Sequence, residues 1–281
     1  MNRTPLVISD HSRDSAGMTY VYPVVSRRAG GVSIGINLNP NNACNWRCIY
    51  CQVPNLIRGR APVIDLVLLE RELRLFLDEA LHGDFMFARV AESERRIEDI
   101  AFSGNGEPTS AREFPQALEV VARVLADAGL AGKIKLRLIT NGSQLERQAV
   151  RDGIARLGSL NGEVWFKVDA GTRDAIRRIN GVDLDPKQIS RRLRLCAERC
   201  PTWVQTCCFA LDGIPPGEAE LGALLEILAQ TEGRIAGVHL YGLARASQQT
   251  EAPRLARLPA EWLEAWARRI RATGLTVAVS P

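Results

Sequence analysis

The hydrophobic positions along this chain follow two alternating spacings. Short apolar runs alternate with longer segments in which apolar residues recur every three or four positions. The first spacing is typical of buried strands and the second of amphipathic helices. The predicted strands span 32–38, 97–102, 134–140, 163–168, 202–210, 235–242 and 275–279, and the predicted helices span 65–82, 111–129, 144–157, 172–179, 186–199, 217–231 and 260–273.

The order of these elements predicts the fold class. A strand that is followed by a helix and then by another strand implies parallel pairing with right-handed crossovers. Six such units and a last strand indicate an α/β fold, a partial or near-complete (β/α) barrel with parallel strands, whose active site lies beyond the C-terminal strand ends. We assign residues 32–281 to the barrel domain and residues 1–31, with a short strand at 20–25, to an N-terminal extension.

Local signals predict where several helices begin. Ser110 with Glu113, and Ser143 with Glu146, have the spacing of a capping box, in which a hydroxyl and a carboxylate each bind a free backbone N–H group. Asp185 before a proline predicts a cap followed by the first helical position. We expect the stretch 83–96, which carries several charges, to be a long surface loop.

Composition and charge narrow the class of protein. The chain has 281 residues, of which 46% are hydrophobic and 24% charged, as in ordinary globular proteins, and this excludes disorder. The net charge of +4 does not by itself indicate a nucleic-acid partner. No apolar run is long enough to span a membrane, and Met1 to His11 lack the apolar core of a secretory signal. We therefore expect a cytoplasmic protein without a membrane partner.

Three of the seven cysteines lie within eight residues. Cys44, Cys48 and Cys51 have the spacing C-x3-C-x2-C and follow the first barrel strand. An odd number of cysteines with this crowding argues against a disulfide scaffold and favours a metal site in a reducing compartment. Three thiolates can bind three irons of a [4Fe–4S] cluster and leave the fourth iron open. A structural zinc site and chance crowding of buried cysteines are the alternatives.

The cysteine segment, with the aromatic Tyr50 before its last cysteine, resembles the radical S-adenosylmethionine (radical SAM) superfamily. The resemblance implies a barrel of the radical SAM type and a [4Fe–4S] cluster whose open iron binds S-adenosylmethionine (SAM). It implies an electron donor such as flavodoxin or ferredoxin, cleavage of SAM to methionine and a 5′-deoxyadenosyl radical, and removal of a hydrogen atom from the substrate. Tyr50 is expected beside the adenine, with packing against the loop as the alternative.

The second barrel strand ends in a loop that resembles the Gly-Gly-Glu motif of this superfamily. Here the loop contains Gly104, Asn105, Gly106 and Glu107, so that Asn105 is inserted between the glycines. The resemblance implies that this loop holds the SAM amino group, because glycines let a ligand approach backbone carbonyls. The alternative is a plain turn before a helix.

Two further strand ends supply candidate SAM contacts. Asn141, at the end of the third strand, resembles the Thr-Asn-Gly segment of related enzymes and is expected to contact SAM. Lys167 and Asp169 share one face of the fourth strand by alternation. We interpret Lys167 as the partner of the SAM carboxylate and Asp169 as the partner of a ribose hydroxyl. A structural Lys–Asp pair is the alternative.

Taken together, these motifs resemble the wyosine-synthase-related branch of the superfamily, whose named members act on a guanosine in tRNA. The resulting hypothesis is a radical SAM enzyme with an unidentified substrate that includes a tRNA nucleobase among its candidates. The alternatives are radical modification of a small-molecule metabolite, activation of a partner protein, and a non-catalytic iron–sulfur or zinc protein. The sequence assigns no catalytic residue.

The remaining chemistry-bearing residues have mostly structural interpretations. Cys196 and Cys200 follow a helical stripe and are expected in the core, whereas Cys207 and Cys208 face opposite sides of a strand. An auxiliary cluster and a hydrogen-donor role for Cys207 are the functional alternatives. His239 is expected as a core or rim residue. The arginines between 141 and 200 are expected on solvated helix faces, with a phosphate-binding surface as the alternative.

Overall fold

The structure is a computed structural model that describes residues 5–6, 16–26 and 30–281. Its strands are β1 (Val21–Ser26), β2 (Gly31–Asn37), β3 (Ala43–Cys44), β4 (Ile57–Arg58), β5 (Ile97–Ser103), β6 (Lys135–Thr140), β7 (Gly162–Lys167), β8 (Thr202–Cys208), β9 (Ala210–Leu211), β10 (Gly237–Gly242), β11 (Leu255–Ala256) and β12 (Val277–Ser280). Its α-helices are α1 (Leu66–Leu81), α2 (Phe85–Arg89), α3 (Phe114–Asp127), α4 (Gln148–Ser159), α5 (Arg173–Asn180), α6 (Pro186–Ala197), α7 (Glu218–Ala229) and α8 (Ala260–Arg271). Short 3-10 helices lie at Glu92–Glu94, Pro108–Ser110 and Ala252–Arg254.

The main sheet is a curled half-barrel of eight strands in the order β1-β2-β5-β6-β7-β8-β10-β12. The strands from β2 to β12 pair in parallel, and β1 pairs with β2 antiparallel. Within the described residues, β1 and β12 do not pair with each other, so the barrel is open. The predicted partial (β/α) barrel is therefore confirmed. The small pairs β3–β4 and β9–β11 lie outside the main sheet.

Alternation along the strands gives the sheet two different faces. The outer face carries large apolar side chains that pack under the helices, for example Ile36, Phe102 and Phe166. Phe114 of α3 contacts Phe102 edge-to-face, with 5.7 Å between ring centroids. Helix α1 presents a buried stripe that includes Phe76 to the same core. The need to bury these apolar surfaces explains the spacing of apolar residues, about every 3.6 residues in the helices and every second residue in the strands.

The two predicted capping boxes are wrong. Helices α3 and α4 begin three to four residues later than the boxes require. The Ser110 hydroxyl donates instead to the carbonyl of Glu107 (2.7 Å), and the Ser143 hydroxyl accepts from the side chain of Asn45 (2.6 Å). The Ser110 hydroxyl also accepts from the side chain of Asn39 (3.3 Å). Both serines therefore bind distant parts of the chain, and these tertiary contacts override the local pattern. The predicted cap at Asp185 is confirmed, because its carboxylate accepts from the N–H of Lys187 (2.9 Å).

The stretch 83–96 is not the loop that the sequence predicts. It contains α2 and a 3-10 helix, and Phe85 and Val90 are buried in the core. Phe85 packs edge-to-face on Phe76 of α1 at 5.0 Å. The charges that suggested a loop, Glu92, Glu94, Arg95 and Arg96, follow Val90 and lead into β5.

The predicted short strand of the N-terminal extension is confirmed as β1. Its approach is fixed by Glu72 of α1, whose carboxylate accepts from the N–H groups of Thr19 (2.8 Å) and Tyr20 (2.7 Å). Residues 1–4, 7–15 and 27–29 of the predicted extension lie outside the described residues. Among the helices that the structure describes, none combines the length and apolar character needed to cross a membrane.

Candidate active site

The cysteine loop lies beyond the C-terminal end of β2, where the sequence predicts the active site. Cys44, Cys48 and Cys51 all line one cavity of about 290 Å³ in the half-barrel. A tight turn brings the last two together, since the N–H of Cys51 donates to the carbonyl of Cys48 (3.0 Å). This hydrogen bond fixes the spacing of Cys48 and Cys51 within the loop.

The segment that follows β10 braces the cysteine loop from the other side. The Ser247 hydroxyl donates to the carbonyl oxygens of Ile49 (2.7 Å) and Cys51 (3.1 Å). The backbone N–H of Gln248 donates to the same Cys51 carbonyl (2.9 Å), and the Gln249 side chain donates to a carbonyl two residues further on (3.0 Å). Sequence reasoning missed this brace, because it joins residues about 200 positions apart.

Burial shifts the pKa values of two of the three loop thiols. Burial raises the pKa of Cys44 to about 11 and the pKa of Cys48 to about 12. The sulfur of Cys44 accepts from the N–H of Trp46 (3.5 Å), and the sulfur of Cys48 accepts from the side chain of Asn180 (3.3 Å). At neutral pH Cys44 and Cys48 are therefore protonated in the protein without metal, and a metal that binds them must displace their protons.

The donor set fits an iron–sulfur cluster. Within the described residues, no three His, Cys, Asp or Glu side chains are grouped as ligands of a single metal ion. A cluster needs a different arrangement, because each thiolate would bind its own iron and a fourth iron would have no protein ligand. Three thiols on one braced loop at the wall of a cavity provide this arrangement.

Glycines allow the loop after β5 to pack against the cysteine loop. A Cβ atom on Gly106 would lie 2.2 Å from the carbonyl oxygen of Ala43, next to the first cysteine. Gly104 has φ +131°, and a Cβ atom there would lie 2.5 Å from the side-chain oxygen of Asn37. Only glycine fits these two positions without displacing its neighbours.

Asn105 presents a buried acceptor at this site. Its backbone N–H donates to Asn37 (3.1 Å) and its Nδ2 donates to the Oδ1 of Asn42 (2.7 Å). Asn42 in turn donates its own amide to the carbonyl of Pro54 (3.1 Å), which fixes the orientation of both side chains. The Oδ1 of Asn105 is buried and has no hydrogen-bond partner in the described part of the chain. A buried acceptor without a donor fits a ligand that brings an N–H group.

Glu107 and Asn141 lie next to each other and are joined by a hydrogen bond. The buried Glu107 carboxylate accepts from the backbone N–H of Asn141 (2.7 Å), the Thr140 hydroxyl (2.6 Å) and both the N–H (3.1 Å) and the hydroxyl of Thr109. Burial raises the pKa of Glu107. The Asn141 side chain donates to Asn45 in the cysteine loop (3.0 Å). These contacts join the ends of β5 and β6 to the loop that carries the cysteines.

Tyr50, Lys167 and Asp169 form one buried group. The Tyr50 hydroxyl contacts the Lys167 amine and donates to the Asp169 carboxylate (2.6 Å). The Lys167 Nζ lies 3.6 Å from the Asp169 Oδ2, so the ion pair named as the structural alternative is present. Asp169 also accepts from the Asn180 side chain (2.8 Å) and from the backbone N–H of Cys207 (3.2 Å). Both of its oxygens are therefore already occupied by this chain.

The charges of this group affect its pKa values. Burial, followed by the charge of Asp169, raises the pKa of Tyr50 above its ordinary value. Burial opposes the charged form of Lys167, but Asp169, Tyr241, Cys48 and Cys207 together outweigh that effect and hold the Lys167 pKa above its ordinary value. Lys167 therefore carries its charge at neutral pH and lines the cavity as a cation.

The interior of the half-barrel is polar. Arg137 of β6 contacts Asp99 and donates its Nε to Glu163 (2.7 Å), and its guanidinium lies 4.7 Å from the ring centroid of Trp165. One guanidinium between two carboxylates gives this group of three side chains a formal charge of −1. Sequence reasoning missed this group, although charges within predicted strands are a usable signal, because burying a charge is costly unless it is paired.

Two other residues, Gln205 and His239, lie on the inner face of the strands. Gln205 of β8 is buried and lines the cavity, and its Nε2 has no hydrogen-bond partner among the described residues. His239 lies between Trp165 and Trp203, with ring centroids 4.6 Å from each. The expected core or rim position of His239 is confirmed, and Trp203 faces the barrel interior.

The other cysteines occupy the predicted places. Cys196 and Cys200 are buried in the main core, and Cys208 faces the same core. Cys207 lies on the opposite face and lines the cavity together with Gln205. The predicted orientations of the strand cysteines are confirmed, and the hydrogen-donor role of Cys207 stays a prediction.

Five arginines of the basic stretch are paired with acidic side chains. Arg173 and Arg177 both bind Asp183, and Arg178 binds Glu220. Arg191 and Arg192 both contact Glu146. This pairing favours the solvated helix face over a free surface for phosphates.

The fold and the site define a class of protein, an α/β half-barrel enzyme with a three-cysteine loop at the C-terminal strand ends. The family model described as "Radical SAM superfamily" matches residues 38–226, which is more than half of the chain. The chain therefore belongs to the radical SAM superfamily, and it is an enzyme of that class.

Curated relatives match part of the chain. The chain is 28% identical over 158 residues to the GTPase Obg of Brachyspira hyodysenteriae, which covers 56% of this chain and 20% of that protein. It is 26% identical over 166 residues to the GTP 3′,8-cyclase of Tolumonas auensis, which covers 57% of this chain and 43% of that protein. The chain thus spans less than half the length of these two relatives.

Solved structures share the fold. A radical SAM methyltransferase from Sphaerobacter thermophilus superposes with a TM-score of 0.63 at 14% identity and covers 92% of this chain and 68% of that chain. A structure of TYW1 with a lysine-pyruvate adduct bound gives a TM-score of 0.56 at 15% identity and covers 87% of this chain and 74% of that chain. At these identities the likeness concerns the fold alone.

Proposed function

We propose that this enzyme holds a [4Fe–4S] cluster through Cys44, Cys48 and Cys51 and cleaves SAM to a 5′-deoxyadenosyl radical, which takes a hydrogen atom from the substrate. The observation that carries the proposal is the loop itself, which places three thiols at the wall of one cavity. When bound, the cluster supplies the electron that breaks the carbon–sulfur bond. A one-electron donor of the flavodoxin or ferredoxin kind would provide that electron.

The residues around the loop would hold SAM. The unpaired acceptor of Asn105 suits the amino group, and the charged Lys167 suits the carboxylate, because hydrogen bonds with an ionised partner are the strong ones. Gly104, Gly106 and Glu107 shape the loop on which Asn105 sits, and Asn141 fixes the cysteine loop. Tyr50 lies at the wall of the same cavity, as expected of an adenine contact. The contact between Asp169 and a ribose hydroxyl stays a prediction. Both carboxylate oxygens already accept hydrogen bonds from this chain, so the ribose would have to share one of them.

The rest of the cavity would receive the substrate. Trp165, Tyr22 and Tyr241 provide aromatic walls, and Gln205 provides a buried donor. These side chains lie on the inner face of the strands, on the side of the sheet away from the helices. Their enclosure would keep water and stray hydrogen donors away from a radical, which is the protein's main contribution in cofactor chemistry of this kind.

We infer that the group attacked is a nucleobase. The relative named as a GTP 3′,8-cyclase acts on a purine nucleotide, and the resemblance of the motifs to the wyosine-synthase-related branch points to a guanosine. The paired arginines of α5 and α6 favour a substrate that is bound mainly within the cavity. Radical modification of another metabolite and activation of a partner protein are the competing candidates.

The cluster proposal is tested on protein that is reconstituted with iron and sulfide without oxygen. We expect about four irons per chain, and 5′-deoxyadenosine after addition of SAM and dithionite. Replacing any of the three loop cysteines by Ala should abolish both results. The matched control is Cys200→Ala, a core cysteine that should keep the iron and the cleavage. Cleavage that persists without a loop cysteine contradicts the proposal.

The nucleobase proposal needs a separate test. Nucleosides from total tRNA and free nucleotides are compared by mass spectrometry between cells with and without the gene. A modified base that disappears from one of the two pools supports the proposal and identifies the pool. Unchanged bases in both pools contradict it and favour the competing substrates.

A further inference from the structure

The C-terminal end of α5 forms one wall of the cysteine loop. The N–H of Arg47 donates to the carbonyl of Asn180 (3.0 Å), and the N–H of Ile49 donates to the carbonyl of Ile179 (2.9 Å). Gly181 ends the helix at φ +65°, and a Cβ atom there would lie 2.8 Å from the carbonyl oxygen of Arg47. The backbone of α5 is thus fitted closely to the backbone of the loop.

The Asn180 side chain extends this contact to a sulfur atom. It is 2% exposed, and its Nδ2 donates both to the Cys48 sulfur (3.3 Å) and to the Asp169 carboxylate (2.8 Å). Turning the amide away would take a donor from a buried carboxylate, which is costly. The bond to Asp169 therefore holds the Asn180 amide beside the Cys48 sulfur.

A fixed donor at a ligand sulfur affects how readily a cluster accepts an electron. The hydrogen bond stabilises negative charge on the sulfur, and reduction increases that charge. Hydrogen bonds to the sulfurs are among the factors that set the potentials of iron–sulfur clusters. A partner beside the ligand is an established means by which proteins adjust a metal centre.

We propose that Asn180 is a positioning residue that raises the reduction potential of the cluster through its hydrogen bond to Cys48. This inference rests on the proposed function. In the step concerned, one electron passes from a one-electron donor to the cluster, so that the donor is oxidised and the cluster reduced, and no protein bond breaks. The higher reduction potential of the cluster would lie closer to the potential of a flavodoxin-like or ferredoxin-like donor.

The test is a redox titration of the reconstituted protein, followed by electron paramagnetic resonance. Asn180→Met replaces the amide by a longer, flexible side chain without donors, and Asn180→Asp keeps the shape but replaces the donor by a carboxylate. For Asn180→Met we expect the ratio of reduced to oxidised cluster at a fixed potential to fall about three- to tenfold, tenfold being about 59 mV for one electron. Asn180→Asp should lower the ratio further. The control, Thr250→Val, removes an acceptor of Arg47 (2.9 Å) and a donor to Glu251 (3.1 Å), and it should leave the ratio unchanged.

The outcomes separate this inference from the proposed function. An unchanged potential in a variant with full iron content overturns the role of Asn180 and leaves the cluster proposal intact. Should Asn180→Met lose its iron, the comparison rests on Asn180→Asp. Loss of iron in both variants would show a purely structural residue and overturn the inference. Wild-type protein that takes up no iron contradicts the proposed function itself.

Discussion

Asn105 is the residue at which this chain departs from the Gly-Gly-Glu pattern that it resembles. Its backbone and amide nitrogen are fixed by Asn37 and Asn42, and its side-chain oxygen is left as a buried acceptor. An unsatisfied buried polar group destabilises a fold by about 1–3 kcal/mol. A ligand that donates to it recovers that free energy, so we expect the residue to contribute to SAM binding.

The first prediction concerns Asn105→Ala, which should weaken SAM binding about tenfold in the oxidised, reconstituted protein. The physical reason is the loss of an acceptor for a charged amino group, and tenfold corresponds to about 1.4 kcal/mol. Equilibrium dialysis with labelled SAM measures the affinity. Gln230→Ala, at the exposed end of α7, is the control. An affinity equal to that of the wild type would remove Asn105 from the SAM site.

The sequence pattern predicted the positions of Lys167 and Asp169 correctly, whereas their contacts with SAM stay predictions. Alternation placed Lys167 and Asp169 on one face, and the structure confirms that placement with the 3.6 Å ion pair. The sequence gives no sign that Tyr50 lies between them or that Asn180 completes the group. Those contacts depend on loops that approach from different strand ends.

At the scale of elements, the site is assembled by three segments that pack against the cysteine loop. The cysteine loop is contacted by the loop after β5, by the end of α5 and by the segment after β10. Each contact uses backbone atoms, which leaves little room for a larger residue. The packing of the loops therefore controls whether the three thiols can bind one cluster.

A glycine substitution tests this packing. Gly106→Ala places a Cβ atom 2.2 Å from the carbonyl oxygen of Ala43, so the two loops must separate. We expect the iron content after reconstitution to fall by at least half and the unfolding free energy to drop by about 1–3 kcal/mol. Iron analysis and urea denaturation measure the two effects.

The control for Gly106→Ala is Gly222→Ala in α7, where the added Cβ atom meets no other atom within 4 Å. An alanine within a helix stabilises it by about 0.5–1 kcal/mol relative to glycine, so this variant should keep its iron and become more stable. If Gly106→Ala retained full iron and stability, the proposed packing between the loops would be wrong.

The sequence predicted elements better than it predicted contacts. Strand and helix bounds agree within a few residues, because burial on a sheet or under a helix imposes a period that the sequence must follow. The capping boxes at Ser110 and Ser143 were wrong because both hydroxyls accept hydrogen bonds from residues far away in the chain, Asn39 and Asn45 respectively. The same distance hid the brace at Ser247. Local patterns carry no information on such partners.

At the scale of the whole molecule, the open half-barrel gives the site its interior. A closed barrel is filled by aliphatic side chains. This one instead carries Arg137, Asp99 and Gln205 on its inner face and keeps a cavity of about 290 Å³. That size is close to the lower end of the range for small-molecule sites. The polar interior and the three-cysteine loop at its rim line the same cavity.

The account depends on one iron that is not bound by a protein sulfur. Mössbauer spectroscopy of protein reconstituted with 57Fe, before and after SAM is added, measures this most directly. We predict that about one quarter of the iron signal changes when SAM binds, while the three irons held by Cys44, Cys48 and Cys51 keep theirs. A spectrum that SAM leaves unchanged, or a site that holds zinc instead of iron, would contradict the account.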